Sequence, residues 1–220
     1  ENRREFSYRG AVVQTLFIRS PEIDLPPDRQ AQARINARFR SQTANFSRYA
    51  AGPLYRQAVR EYRSAQTHGY PFHAFDAAVE YEVTLNRDCL LSSFHDRYEF
   101  TGGAHGMTVR ASDTFSLQSG RRFLLSHFFA PGLNYRRLIV SGVLKQAEEN
   151  MQKNPGAYFE DYRTRLLRYF NPENYDLTPD GVAIYYQLYE IAPYASGIVT
   201  FVIPYESLGI RPSCGDAAAR

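Results

Sequence analysis

The sequence has no tryptophan, and only two methionines and two cysteines among its 220 residues. Lysine is almost missing too: Lys145 and Lys153 stand alone, so arginine carries nearly all the positive charge. Two cysteines exclude a zinc site of the paired-CxxC kind. Cys89 and Cys214 are far apart, and two residues alone do not say whether they form a disulfide. No apolar run approaches the ~18–20 residues of a membrane-spanning helix, and no secretory signal is visible. The chain opens on Glu1 without a methionine. The expectation is therefore a trimmed or mature fragment, with any anchor or export signal cut away.

Several chemistries lack their signatures as well. The five histidines, His68, His73, His95, His105 and His127, are scattered and no HExxH occurs. A GxSxG elbow is absent, since Ser119-Gly120 and Ser196-Gly197 lack its context. Gly102-Gly103 precedes a strand pattern and not a helix, which excludes a dinucleotide or P-loop fingerprint. No cofactor and no metal site is expected.

What is present is a core-forming composition: 44% hydrophobic residues, with 17 Tyr and 15 Phe. Such a chain is not disordered, and its tyrosines suit half-buried sheet faces and contact surfaces. The net charge of +3 makes the whole chain no polyanion binder. Its distribution says more. Arg29, Arg34, Arg38, Arg40, Arg48, Arg56, Arg60 and Arg63 face a single acid, Glu61, across one helical stretch. That run reads as a solvated helix face, or else as a surface for anionic polymers, phosphate-bearing lipid or an acidic protein. Nucleic-acid binding is not expected, because the aromatics of this stretch fall on the opposite stripe.

In chain order, residues 1–9 read as loose and Ala11–Ile18 as a strand. Pro26-Pro27-Asp28 opens a helix, with Asp24 and Asp28 placed for its dipole. Ile35, Phe39, Phe46 and Tyr49 line its apolar face until Gly52-Pro53 bends or ends it. A second helix runs from Leu54 to Ala65. Phe75, Ala77, Val79, Tyr81, Val83 and Leu85 then alternate with polar partners in the clearest strand. Beyond a turn at Asn86-Arg87-Asp88, a hairpin follows with one wet face. A short strand at 121–125 and a capped turn at Ser126 come next, then helices to about residue 153 and over 158–170. Thr178-Pro179-Asp180-Gly181 separates these from strands starting at Val182 and Ile198. Residues from Gly209 onward read as a frayed tail. The order implies an α+β fold, an antiparallel β-sheet meander with helices packed on one side.

Two loops stand out as candidate contact sites. Thr101-Gly102-Gly103-Ala104-His105-Gly106 closes the hairpin with three glycines and one histidine. His105 there either caps backbone or acts in recognition or proton transfer. In Ala192-Pro193-Tyr194-Ala195-Ser196-Gly197, Pro193 and Gly197 fix an uncommon path. Tyr194 either contacts a ligand or plugs the edge of the core. Glu80 and Glu82 share the polar face of their strand, as solvated side chains or as acid–base groups toward a glycan.

The stretches YEFTGGAHG (98–106), FSLQSGRRFLLSHFF (115–129) and YEIAPYASGIVTFVIPYESL (189–208) resemble the C-terminal domain of RsiV-type anti-sigma factors. That domain of unknown function also accompanies peptidoglycan deacetylases and occurs in cell-surface lipoproteins. Upstream, IRSPEIDLPPDRQAQARINARF (18–39) is similar to its usual companion. The likeness covers roughly residues 10–208, with the companion over 10–71 and the RsiV-like domain over 72–208. It implies a non-catalytic, extracytoplasmic binding or sensing domain at the bacterial surface, with a membrane tether outside this sequence. Its expected partner is a cell-wall polymer or a lysozyme-like protein, through Tyr98, Gly102, Gly103, His105 and Tyr194. The run of arginines disfavours a basic lysozyme unless it lies away from the interface. The alternative is a glycan hydrolase or deacetylase-associated domain that uses His105 as general base or metal ligand, with Glu80 or Glu82 as partner.

Overall fold

A computed structural model describes residues 1–25 and 29–214. The helix-opening Pro26-Pro27-Asp28 and the tail from Gly215 lie outside the described residues. Among those described, six strands follow the order β1 (Asn2–Tyr8), β2 (Ala11–Arg19), β3 (Phe75–Arg87), β4 (Leu90–Phe100), β5 (Met107–Ser116) and β6 (Arg122–Phe123). A second sheet has the order β7 (Tyr175–Leu177), β8 (Gly181–Tyr186) and β9 (Val199–Pro204). This is the α+β class, mostly antiparallel. By contact the chain divides into two units. The first takes Glu1–Asp24, Arg34–Tyr81 and His95–Val109, and the second Leu25–Ala33, Glu82–Phe94 and Arg110–Arg220.

In the first unit the N-terminal residues are not loose. β1 pairs antiparallel with β2 through a turn in which Arg9 and Gly10 both have positive φ. Its charged side chains hid the strand, because an edge strand with both ends in water needs little apolar pattern. β2 then pairs with β3 in parallel, Gln14 opposite Phe75 and Ile18 opposite Val79. A parallel pair requires a long crossover, and the helices supply it. These are α1 (Arg29–Tyr49), a π-helical turn Ala50–Leu54, and α2 (Tyr55–His68).

Pro53 therefore neither ends nor interrupts the helical run. The wider π turn leaves room for its ring, which in an α-helix would strike the preceding turn. Gln14, fully buried on β2, donates to the Ala50 carbonyl at 3.0 Å. The π turn also re-phases α2. Ala58 and Ala65 stay on the side of Phe46, Ala50 and Leu54, and these pack on Val13, Leu16, Phe75, Ala77 and Val79.

The second unit holds the larger core. Ile139, Val143 and Ala147 of α3 (Tyr135–Lys153) pack with Leu166 of α4 (Tyr162–Tyr169) and with Val182, Ile184, Phe201 and Ile203. Helix α4 begins at Tyr162, later than the apolar pattern from Tyr158 implied. Tyr158 and Phe159 instead form its approach, with the Phe159 amide donating to the Ile191 carbonyl at 3.0 Å. Residues 209–214 are not frayed. After α5 (Tyr205–Leu208), Ile210 and Cys214 are buried, and Cys214 is joined to Cys89 by a disulfide.

The single wet face expected for the hairpin also fails here. Ser92, Ser112, Asp113 and Thr114 are all buried. The Leu177 amide donates to Ser92 Oγ at 2.9 Å, and Ser92 and Thr114 share a hydrogen bond of 2.9 Å. Ser112 donates to the Tyr175 carbonyl and lies 3.0 Å from the Tyr185 hydroxyl. The polar side of this part of the sheet is covered by β7 and β8, so its hydroxyls pair with protein instead of water. By contrast the apolar Met107 and Val109, which alternation puts on the core side of β5, are 42% and 45% exposed.

Candidate functional site

The loop 101–106 belongs to the first unit, and its glycines are unequal. Gly102 has φ +87°, which favours glycine. Gly103 has open space where a Cβ would sit and does not require glycine on that ground. Gly106, to which the sequence pattern gave no role of its own, is the tightest: a Cβ would lie 2.3 Å from the Tyr98 ring. Tyr98 is thus laid across Gly106, and the backbone carbonyl of Gly106 is 3.1 Å from His105 Nδ1. Tyr98, Gly106 and His105 form one local group.

Tyr98 also lines an open groove of about 430 Å³ with Arg3, Glu5, Thr15, Leu16, Phe17, Asp76, Ala78 and Glu80. The strand registers explain the grouping. Arg3 is opposite Phe17 and Glu5 opposite Thr15, while Thr15, Phe17 and Arg19 stand beside Asp76, Ala78 and Glu80. With a side-chain period of two, all of these point to the face away from the buried Phe75, Ala77 and Val79. The Arg3 guanidinium lies 5.7 Å from the Phe17 ring centre, Thr15 donates to Asp76, and Arg19 pairs with Glu80 at 2.7 Å. The groove therefore offers two aromatic faces, Phe17 and Tyr98, bordered by carboxylates and guanidinium groups. Of these, the sequence singles out Tyr98 and Glu80; bringing in the rest needs the β1–β2 and parallel β2–β3 registers.

Tyr194 lies in the second unit, in a 3₁₀ turn Tyr194–Ser196 closed by Gly197 at φ +66°. It is half-buried and its ring stands 5.8 Å from that of Tyr189. Tyr189 is 44% exposed and holds a positive φ of 65°, a strained conformation for a tyrosine. The pair is anchored by the buried Ile191 and Ala192 between them. The sequence marks Tyr189 only as the first residue of the YEIAPYASG stretch and gives it no contact role.

The remaining candidates separate. Glu80 counts in the first unit and Glu82 in the second. His95 is buried and stacks on Tyr81 with centroids 4.7 Å apart, a packing role. Among the described residues, no group of three or more His, Cys, Asp or Glu is placed to hold a metal.

A buried polar cluster in the second unit also escaped the sequence. Arg110 lies 3.6 Å over the Phe94 ring, and its backbone amide and carbonyl bond Gln187 at 3.0 and 2.8 Å. Burial pushes the Asp176 carboxyl up to about 6, against the opposing pull of a Thr84 hydrogen bond and the Arg110 charge. Asp113 pairs with Arg122 at 2.6 Å, and Arg122 also holds Glu173.

Comparison with known families now separates the chain into two stretches. Residues 12–108 match the family model described as deacetylase PdaC, and residues 126–206 match a family of unknown function, DUF3298. The first stretch is similar to PdaC-type domains and the second to DUF3298 domains. The groove, the glycine-rich loop and the arginine-rich helices all fall within or beside the PdaC-type stretch, and the Tyr189–Tyr194 pair falls in the DUF3298 stretch. A crystal structure of a DUF3298 family member from Bacteroides fragilis is similar, with a TM-score of 0.68 and 19% identity. The match covers 94% of this chain and 88% of that one. A DUF3298 family protein from Pseudomonas aeruginosa PAO1 aligns with TM-score 0.51 and 23% identity over 68% of each chain. At these identities the likeness concerns the fold. A search of curated proteins returned no match.

Proposed function

We propose that this protein is a non-catalytic, extracytoplasmic binding or sensing module of a bacterial surface protein, taking a cell-wall glycan on the open sheet face of its first unit. The observation that carries this is the groove in which Phe17 and Tyr98 present rings beside Glu5, Asp76, Glu80 and Arg3. Sugars are bound by aromatic faces against their C–H surfaces and by charged or amide groups against their hydroxyls. Two further points support the setting. The Cys89–Cys214 disulfide suits an oxidising compartment, and the N-terminal stretch matches a family described as a deacetylase. His105 joins the site through Gly106 and Tyr98, while Tyr194 with Tyr189 offers a separate aromatic contact surface on the second unit. Membrane attachment would come through a tether beyond this sequence.

The test is binding of purified, fragmented peptidoglycan by the intact chain. Phe17→Ala and Tyr98→Ala are expected to weaken it at least about tenfold, the loss of ~1.4 kcal/mol, with unfolding temperature nearly unchanged. Binding unaffected by both substitutions would sink the groove reading. A lysozyme-like protein is the second ligand, favoured by the carboxylates Glu5, Asp76 and Glu80 on the same face. Lysozyme capture that survives moderate salt and is lost in Asp76→Asn with Glu80→Gln would select it. The catalytic alternative, His105 acting with Glu80 or Glu82, requires glycan cleavage or deacetylation that His105→Ala abolishes.

A further inference from the structure

The arginine-rich helices of the first unit lie outside this groove, and their geometry supports a separate surface. Arg48, Arg56, Arg60 and Arg63 are all exposed. Arg56, Arg60 and Arg63 recur at i, i+4 and i+7, which places them on one stripe of α2. On the helical wheel that stripe is opposite Leu54, Ala58 and Ala65, which are buried. In an uninterrupted α-helix Arg48 would stand ~80° around from Arg56. The π turn between them, with fewer degrees per residue, takes back most of that rotation. The Arg56 guanidinium itself reaches back over this turn, 3.7 Å from where a Gly52 Cβ would sit. The turn that accommodates Pro53 thus also aligns four guanidinium groups into one file of ~22 Å.

No ion pair among the described residues neutralises the file. Glu61 is the single acid from Arg29 to Arg63, and it accepts the Tyr70 hydroxyl at 2.9 Å. Among the described residues no ion pair engages Arg48, Arg56, Arg60 or Arg63; Arg48 bonds only the Asn45 amide oxygen. Arginine forks match phosphate oxygens, and a single file of them fits a linear polymer better than a flat lipid surface. Base stacking has little platform along it: Phe39 and Phe46 are buried, Tyr55 is half-buried, and the exposed Tyr49 ring is tied through its hydroxyl to the Glu99 carboxylate, whose charge disfavours a nucleic-acid strand there. We infer that the Arg48–Arg63 file is a docking strip for a linear, base-free polyanion of phosphate groups, used independently of the sheet-face groove.

Inorganic polyphosphate of defined length serves as the probe, titrated against the intact chain at several salt concentrations. Four counter-charges on a flexible strand predict a log–log salt slope of about −3. Converting Arg48, Arg56, Arg60 and Arg63 together to Gln is expected to weaken binding more than tenfold at low salt and flatten the slope. A charge-matched control with Arg136, Arg137, Arg168 and Arg211 converted to Gln keeps both, and so does Tyr98→Ala, which tests the groove separately. Equal loss in the charge-matched control would show that net charge, and not the file, binds. Tighter binding to oligodeoxythymidylate of equal charge would overturn the base-free assignment. Wild-type binding to phosphatidylglycerol vesicles without polyphosphate binding would overturn the polymer in favour of a membrane surface. Absence of any binding would refute the strip itself.

Discussion

The two units use the polar faces of their strands in opposite ways. In the first, Thr15, Arg19, Asp76 and Glu80 project from β2 and β3 onto an open groove and pair only laterally with one another. In the second, Ser92, Ser112 and Thr114 project from β4 and β5 under β7 and β8 and are wholly withdrawn from water. A polar residue on a strand face can therefore be a solvated contact or a buried clasp. What decides is whether another sheet covers it. The long charged side chains Arg19 and Glu80 stay open in the first unit, whereas in the second the short hydroxyls close on single partners and the buried Asp113 needs the Arg122 guanidinium beside it.

The largest expected effect lies in the closed unit. Cys89 and Cys214 tie the end of the chain to the start of β4 across a separation of 125 residues. Replacing both by serine, or reducing the bond, is expected to cost about 2–5 kcal/mol, measured by denaturant unfolding with and without reductant. Protection of the Leu90–Ser93 and β7–β9 amides should fall with it in hydrogen exchange. Little change would mean that the packing of Ile210 suffices to hold the segment.

Next comes Asp176, the buried acid of the same unit. Its carboxyl is raised from the ordinary 3.8 to about 6, mainly by burial. Below pH ~4 both folded and unfolded chains hold this proton, so no penalty exists. Between about 4 and 6 the unfolded chain releases it first, the folded chain binds more protons, and stability falls as pH rises. Asp176→Asn should then stabilise at pH 7 by on the order of 1–3 kcal/mol and leave stability at pH 3 almost unchanged. A destabilised variant at pH 7 would show that the Arg110 attraction outweighs desolvation. It would also make this closed cluster more like the open face than its burial suggests.

The sequence made the first unit's core legible and much of the second unit's interior not. Period-two alternation in Phe75, Ala77 and Val79 and the helical stripe Ile35, Phe39, Phe46 were read correctly because each element has one dry side. Ser112 and Thr114 read as wet because alternation reports polarity, and a sheet arriving some sixty residues later leaves no trace in it. The 178–181 turn was plain from its residues. The parallel β2–β3 register was not, although it alone assembles the groove. Pro53 was read as a break by its missing amide, but a π turn absorbs it without a local signature. Of the loop glycines, Gly102 carried its reason in its conformation, whereas the constraint on Gly106 comes from a ring eight residues earlier.

That last contact provides the smallest structural perturbation with the most direct functional reading. A methyl group at residue 106 would overlap the far end of the Tyr98 ring, and a half-buried tyrosine can swing toward solvent to relieve it. Gly106 is itself buried, but the overlap falls on the end of a side chain that can move, so Gly106→Ala should cost about 1 kcal/mol, the low end for overpacking, yet remove one of the two rings from the groove. Affinity for the glycan should drop to nearly the level of Tyr98→Ala, and combining the two changes should add almost nothing, since they act on the same ring. His105→Ala tests the other side of the loop: if its role is to hold the Gly106 backbone, it should mimic Gly106→Ala and be silent when Tyr98 is already absent. Additive losses would instead give His105 its own contact with ligand. The open face would then extend beyond the strands and into the loop.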